Sequence, residues 1–170
     1  MTDNYIQLEK SNVLKFGIRT AEGEDTGNYL EFDLEDSELP LKYQDMIAKS
    51  KKNEEWLMHQ FVIIDKRQDI KGKKLLSKNE EDKIKTLNEF FKREEETYNI
   101  FLGENGVQKL LNGRKMGWSS LRTIDEYIEK QIMPLLDIDM KKFIDKLKSK
   151  YKEAVAENEV LKWNIQNMLK

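Results

Sequence analysis

The sequence predicts a mainly α protein with a small N-terminal β-hairpin, an α+β chain whose helices form a bundle and whose last segment is one long heptad-patterned helix. Three observations predict it. Charged residues make up 36% of the 170 residues and hydrophobic ones 38%, a mixture that builds amphipathic helices with solvated outer faces. Pro40 and Pro134 are the only prolines and there are eight glycines, so few positions interrupt a helix. One stretch near the N-terminus, by contrast, is β-prone and broken by glycine. The organisation expected is a hairpin region over 1–38, a helical core over 39–136 and a C-terminal helix over 137–170, a candidate coiled coil.

The hairpin comes first. Val13, Leu14, Phe16 and Ile18 form a β-prone run, Glu22 to Gly27 is a polar turn with two glycines, and Tyr29, Leu30 and Phe32 resume the run as far as Leu34. Two strands alone are marginal in water, so this hairpin needs helices of its own chain, a third strand or another chain to pack on.

Asp36 or Ser37 then caps a helix that has Pro40 in its first turn and runs from about Leu39 to Asp65. Tyr43, Met46, Ile47, Ser50, Trp56, Leu57, Phe61 and Ile64 follow its helical spacing, although Phe61 to Ile64 is also a strand-like cluster. A polar linker over Asp69 to Lys74 follows. Ser77 and Glu80 have the form of a capping box, in which each side chain satisfies the other's orphan backbone donor. The helix they open carries Ile84, Leu87, Phe91, Tyr98, Phe101 and Leu102 and stops at Gly103. Gly106 to Gly113 brackets a short helical turn, VQKLLN, and a helix from about Ser119 to Met133 is ended or kinked by Pro134.

The last segment is the most regular. Ile144, Tyr151, Asn158 and Ile165 at a, with Met140, Leu147, Ala154, Leu161 and Met168 at d, give an unbroken 3,4 repeat over about four heptads. This seam is a candidate surface for homo-oligomer formation, with Asn158 as the buried amide that fixes register. The alternative is a long helix packed on its own domain.

Chemistry finds few groups to work with. There is one histidine, His59, among apolar helix residues, and no cysteine, which excludes thiol chemistry and disulfides. A zinc site at His59 would have to be completed by carboxylates alone. The acidic run Glu31, Asp33, Glu35, Asp36, Glu38 lacks the glycine of a calcium loop and suits a helix start. Gly103, Gly106 and Gly113 match no phosphate-loop spacing and read as a helix stop and two turns, with Arg114 and Lys115 beside them as candidate anion contacts. The expectation is a non-enzymatic binding protein with no catalytic residue, no metal and no cofactor.

The beginning, MTDNYIQLEK, has no basic stretch leading into an apolar run, and nowhere do 18 apolar residues occur together, so neither export nor a membrane span is expected. Charge is uneven: ten acids against three bases over 1–39, five acids against eight bases over 139–170. Bases interleaved with Glu are a weak nucleic-acid footprint, which makes a small nucleic-acid-binding regulator using Lys141 to Lys152 the least favoured alternative.

Four blocks carry a resemblance. EFDLEDSELPLKYQDM (31–46), KKNEEWLMHQFVIIDKR (51–67), KREEETYNIFLGENGVQKLLNGRK (92–115) and IMPLLDIDMKKFIDKLKSKY (132–151) resemble the small tail assembly chaperones of long-tailed phages and prophages of Gram-positive bacteria. The likeness covers residues 13–152 and is most specific in FLGENGVQKLLNGRK. It implies a factor in the cytoplasm of the bacterial host that coats the tape measure protein, keeps it from aggregating, helps recruit the tail tube protein, and is absent from the mature virion. It also implies a longer form made by ribosomal frameshifting, of which this chain is the short version. The sequence beyond Lys152, EAVAENEVLKWNIQNMLK, departs from that pattern by continuing the heptad. Such a chaperone would offer apolar grooves and adaptable Met side chains, among them Met46, Met58, Met116, Met133, Met140 and Met168, most of which are expected to be core fillers. The remaining alternative is a structural tail completion or connector protein, whose hairpin would join a neighbour's sheet.

Overall fold

The computed structural model describes residues 12–137, with Lys141, Asp145, Ser149, Lys152, Glu153 and Ala156 beyond them. The chain is mainly α with a two-stranded antiparallel hairpin near its N-terminus. It divides into two units, Met1–Ile124 and Asp125–Lys170.

In the first unit, β1 (Val13–Arg19) pairs with β2 (Asp25–Asp33). Alternation sets the faces: Ile18, Leu30 and Phe32 are buried, while Lys15, Tyr29 and Glu31 are exposed. Lys15 stands opposite Glu31 in register and pairs with it, a surface contact worth little by itself. The turn is tighter and earlier than the glycine pair implied. It closes at Thr20 to Glu24 around Gly23, whereas Gly27 lies inside β2, left-handed at φ 73, where the register shifts between Gly17 and Arg19.

The hairpin packs within its own chain. Phe32 lies 5.8 Å from Phe16 and 5.3 Å from Phe101, which in turn lies 5.2 Å from Tyr43, ring centroid to centroid. These rings join β2 to the start of α1 (Leu39–Asp65) and the end of α2 (Lys78–Leu102). α1 has Pro40 in its first turn, as expected, but its N-cap position is Glu38 and makes no side-chain cap. Asp36 serves that end from two residues upstream, accepting the Glu38 N–H at 2.9 Å and binding Lys42 at 2.6 Å. The β-branched run Phe61 to Ile64 is helical, because its buried member, Ile64, continues the inner stripe begun by Met46 and Leu57.

α2 starts as the sequence indicated. The Glu80 N–H donates to the Ser77 hydroxyl at 3.2 Å, and the Ser77 N–H donates to the Glu80 carboxylate at 2.6 Å. It stops at Gly103, left-handed at φ 86. α3 (Gly106–Leu111) follows at once. Gly106 is not the tight turn expected of it. A Cβ there would meet the Leu102 Cβ at 2.5 Å and approach Leu30 to 3.6 Å, so this glycine is required where α2, α3 and β2 converge.

α4 (Trp118–Tyr127) begins with Trp118 against Phe90 and Phe91, at 5.3 and 5.2 Å. In the second unit a π-helical turn, Ile128–Ile132, precedes further helical residues at 133–137. The helix is thus neither ended nor broken at Pro134. The Met133 N–H reaches the Ile128 carbonyl five residues back, and this widened turn accommodates a ring that would clash with the carbonyl four residues back in a regular helix. Ile128, Ile132 and Leu136, all buried, keep a four-residue spacing through it.

The proposed seam, Ile144, Leu147, Tyr151, Ala154, Asn158, Leu161 and Ile165, with Met140 and Met168, lies outside the described residues. Lys141, Asp145, Ser149, Lys152, Glu153 and Ala156 are helical and exposed, and none of them is a seam position.

Candidate protein-binding surface

α1 and α2 are antiparallel, since Ser50 meets Glu94 near one end of the contact while Asp65 meets Lys83 towards the other. Their inner stripes are apolar at the ends and polar in the middle. On α1 the stripe runs Met46, Ser50, Asn53, Leu57, Ile64; on α2 it runs Phe90, Glu94, Thr97, Tyr98, Phe101. The polar members meet. The Ser50 hydroxyl donates to Glu94 at 2.7 Å, and the Asn53 amide donates to Glu94 at 2.6 Å and to the Thr97 hydroxyl at 3.0 Å. Glu94 is fully buried, yet no buried side-chain nitrogen or oxygen among the described residues lacks a partner.

This cluster fixes how the two helices align. Sliding α1 by one turn would leave a buried carboxylate without its donors, which costs far more than an apolar mismatch. Trp56 and Arg93 finish the same side, the guanidinium stacking 3.9 Å from the ring centroid while it pairs with Glu89. The inner surface of the hairpin is therefore complete.

The outer surface is different. Ile47, Met58 and Val62 are exposed on α1, and at about 100° per residue they fall within about 60° of one another around the helix. Ile47 was assigned to the inner stripe by spacing, but the inner face at that level is taken by Met46 and Ser50. Of the methionines, Met46 and Met116 are core, Met133 is half-buried and Met58 stands out at 63% exposure. Where α1 ends, the same apolar character continues into the connection to α2, in which Ile70 is 71% and Leu75 91% exposed.

That connection is held in shape. Its base is closed by the Lys78 N–H to the Ile70 carbonyl at 3.1 Å, the Asn79 N–H to Asp69 at 3.0 Å, and the Asn79 amide to the Arg67 carbonyl at 3.2 Å. The Ser77 hydroxyl and the Asn79 N–H beside Asp69 hold its carboxyl below the usual carboxylate range. Backbone and side-chain bonds from Ser77 lower Glu80, and Lys78 lowers Asp82. Leu75 and Leu76 are thus displayed on a fixed loop among Lys71, Lys73, Lys74 and Lys78. A long connection with its own hydrogen bonds and uncovered leucines has the character of a binding loop.

His59 is exposed on α1, and among the described residues no group of three His, Cys, Asp or Glu is placed to hold a metal ion. No helix among them is long and apolar enough to cross a membrane. Sequence spacing missed Phe90, Glu94 and Thr97 as interior residues of α2. The available signal was that Glu94 lies four residues from both Phe90 and Tyr98, which places it on the same stripe. Compared with known proteins, the chain matches no family model, no curated protein and no solved structure.

Proposed function

We propose that this protein is a tail assembly chaperone that binds the tape measure protein of a long-tailed phage or prophage, keeps it soluble and assists assembly of the tail tube protein around it. It acts without catalysis in the host cytoplasm and leaves before the virion is complete. The observation that carries the reading is the contrast across the α1–α2 hairpin: its inner face is fully satisfied, while Ile47, Met58, Val62, Ile70 and Leu75 remain exposed. Each such side chain gains about 1.5–3 kcal/mol when fully buried. A tape measure protein is a long helix with an apolar stripe, the partner such a surface suits. The similarity of the FLGENGVQKLLNGRK block to these chaperones supports the same conclusion.

Several copies bound along one client would gain by avidity, so single contacts need not be strong. Self-association through the seam at Ile144 to Ile165 belongs to the same proposal. Co-expression with the tape measure protein encoded beside it is expected to raise that protein's soluble fraction and to yield a complex that co-purifies. No gain and no complex would refute the chaperone reading.

A second reading has one observation in its favour. The sheet has only two strands among the described residues, and the outer edges of β1 and β2 are unpaired there, as a tail completion or connector protein joining a neighbour's sheet would require. Mass spectrometry of purified particles separates the two: the chaperone is absent from them and the connector is present.

A further inference from the structure

One cleft in the first unit is used by none of this. It has a volume of about 320 Å³ and lies between the turn of the hairpin and the end of α3, lined by Ile18, Arg19, Glu22, Thr26, Leu110 and Arg114 among others. Its two arginines come from different elements, one from the end of β1 and one from the connection after α3. Neither forms an ion pair among the described residues, although many other charges of the chain do. Arg114 is held in place from behind, its Nε donating to the Leu111 carbonyl at 3.3 Å, which leaves the terminal nitrogens for a ligand.

The walls determine what kind of anion fits. Arg19 and Arg114 bring two positive charges and Glu22 one negative, so a single negative charge neutralises the cleft. Glu22 repels either anion, but a phosphate, at about −1.5 to −2 near neutral pH, would leave the cleft net negative where a carboxylate leaves it neutral. Ile18 and Leu110 add apolar wall beside the guanidinium groups, which a bare inorganic ion would leave wet. Guanidinium groups match a carboxylate in shape and in hydrogen-bond geometry.

We propose that this cleft binds a carboxylate carried on an apolar stem, the chemistry of a polypeptide C-terminus ending in an aliphatic residue or of a short-chain carboxylic acid. The assignment does not depend on the tail assembly reading. The hairpin turn forms one wall, with Thr26 bonded across to the Ile18 carbonyl at 2.7 Å and the Glu24 N–H bonded to Thr20 at 3.2 Å. The site is therefore built before the ligand arrives.

The test uses the full chain, isotope-labelled, with the arginine Nε–H resonances observed during titration. Four probes are compared: acetyl-Ala-Ala-Leu with a free C-terminus, the same peptide amidated, hexanoate, and inorganic phosphate. The free peptide acid or hexanoate is expected to shift the Arg19 and Arg114 resonances, and the amide is expected to leave them in place. Arg19→Gln and Arg114→Gln should each weaken binding by about tenfold, and Glu22→Gln should tighten it by about threefold. A peptide acid that binds more tightly than hexanoate identifies a polypeptide terminus as the source; equal binding identifies any aliphatic carboxylate. All three substituted side chains are exposed, so the variants keep the fold, which circular dichroism checks. Absence of a shift at millimolar acid, equal binding of the amide, equal or tighter binding of phosphate, or binding indifferent to both arginine substitutions would each overturn the assignment.

Discussion

The two ends of the α1–α2 hairpin are built from similar residues and treated in opposite ways. At the end where α1 begins and α2 finishes, most apolar side chains are covered: Phe32, Phe101 and Val107 are buried, half-buried Tyr43 packs on Phe101, only Leu41 of the first turn of α1 stays exposed, at 63%, and Gly106 gives up its side chain so that α3 and β2 can approach. At the end where α1 finishes and α2 begins, Ile70 and Leu75 are left in water, and Leu76 is 36% exposed, on a loop tied at its base. The covered end spends its apolar surface on the fold. The open end has the same kind of surface unspent, and that difference is why the molecule reads as one that holds something else.

The covered end should be the harder to damage without loss of the fold. Phe32→Ala is expected to cost about 3–5 kcal/mol in urea unfolding, since it removes a buried ring and opens the junction of hairpin and helices. Gly106→Ala should cost about 1–3 kcal/mol by overpacking against Leu102, and a neutral result would mean that α3 is not seated there. Between the two ends, Asn53→Ala removes a donor from buried Glu94 and should cost about 1–3 kcal/mol by thermal or urea unfolding. In the paired change Asn53→Ala with Glu94→Gln, part of that loss should be recovered, because no charge then remains short of a donor.

The open end should respond to acid instead. Asp69, Glu80 and Asp82 are all held below the usual carboxylate range, so the bonds they make are fully present above it and are lost as pH falls through the lowered values. The Ser77 amide resonance is therefore expected to move only below the ordinary carboxylate range, as the Glu80 carboxylate that it binds becomes protonated. In Ser77→Ala the backbone N–H remains and only the hydroxyl is lost, so Glu80 should stay lowered but by less than in the parent. Asp69 and Glu80 are exposed and Asp82 is half-buried, so the effect on global stability is small and comes mostly from Asp82. Smallest of all is the stability change for Leu75→Ser, expected within about 0.5 kcal/mol of the parent because that side chain is 91% exposed.

Much of this fold was legible in the sequence, for identifiable reasons. The capping box at Ser77 and the left-handed stop at Gly103 are local devices whose chemistry is written in adjacent residues. The hairpin was legible from its alternation, but the surface it needed was not, because the contact between Phe32 and Phe101 joins residues far apart in sequence. The same holds for Glu94. REEET by itself does not state which glutamate points inward; the four-residue spacing from Phe90 and Tyr98 marks Glu94, and the facing Ser50 and Asn53 of α1, which spacing cannot pair with it, supply its donors. Pro134 was read as a stop or a kink because a regular helix cannot hold it, and the π turn that accommodates it has no signature in the residues Ile128 to Ile132. The outer apolar face of α1 was partly visible through Met58, and Ile47 was placed on the wrong side because a stripe defined by spacing alone has no sharp border. The loop was read only as a polar linker over Asp69 to Lys74, and Leu75 and Leu76 just after it were given no role.

The central claim is that the open end holds a client, and one measurement bears on it most directly. The tape measure protein is co-expressed with the parent chain and with a variant carrying Met58→Ser and Leu75→Ser, both exposed side chains, and the soluble client that co-purifies is quantified for each. The prediction is that the variant keeps the parent's thermal midpoint and loses most of the client. Equal recovery of client by parent and variant, at equal stability, would contradict it.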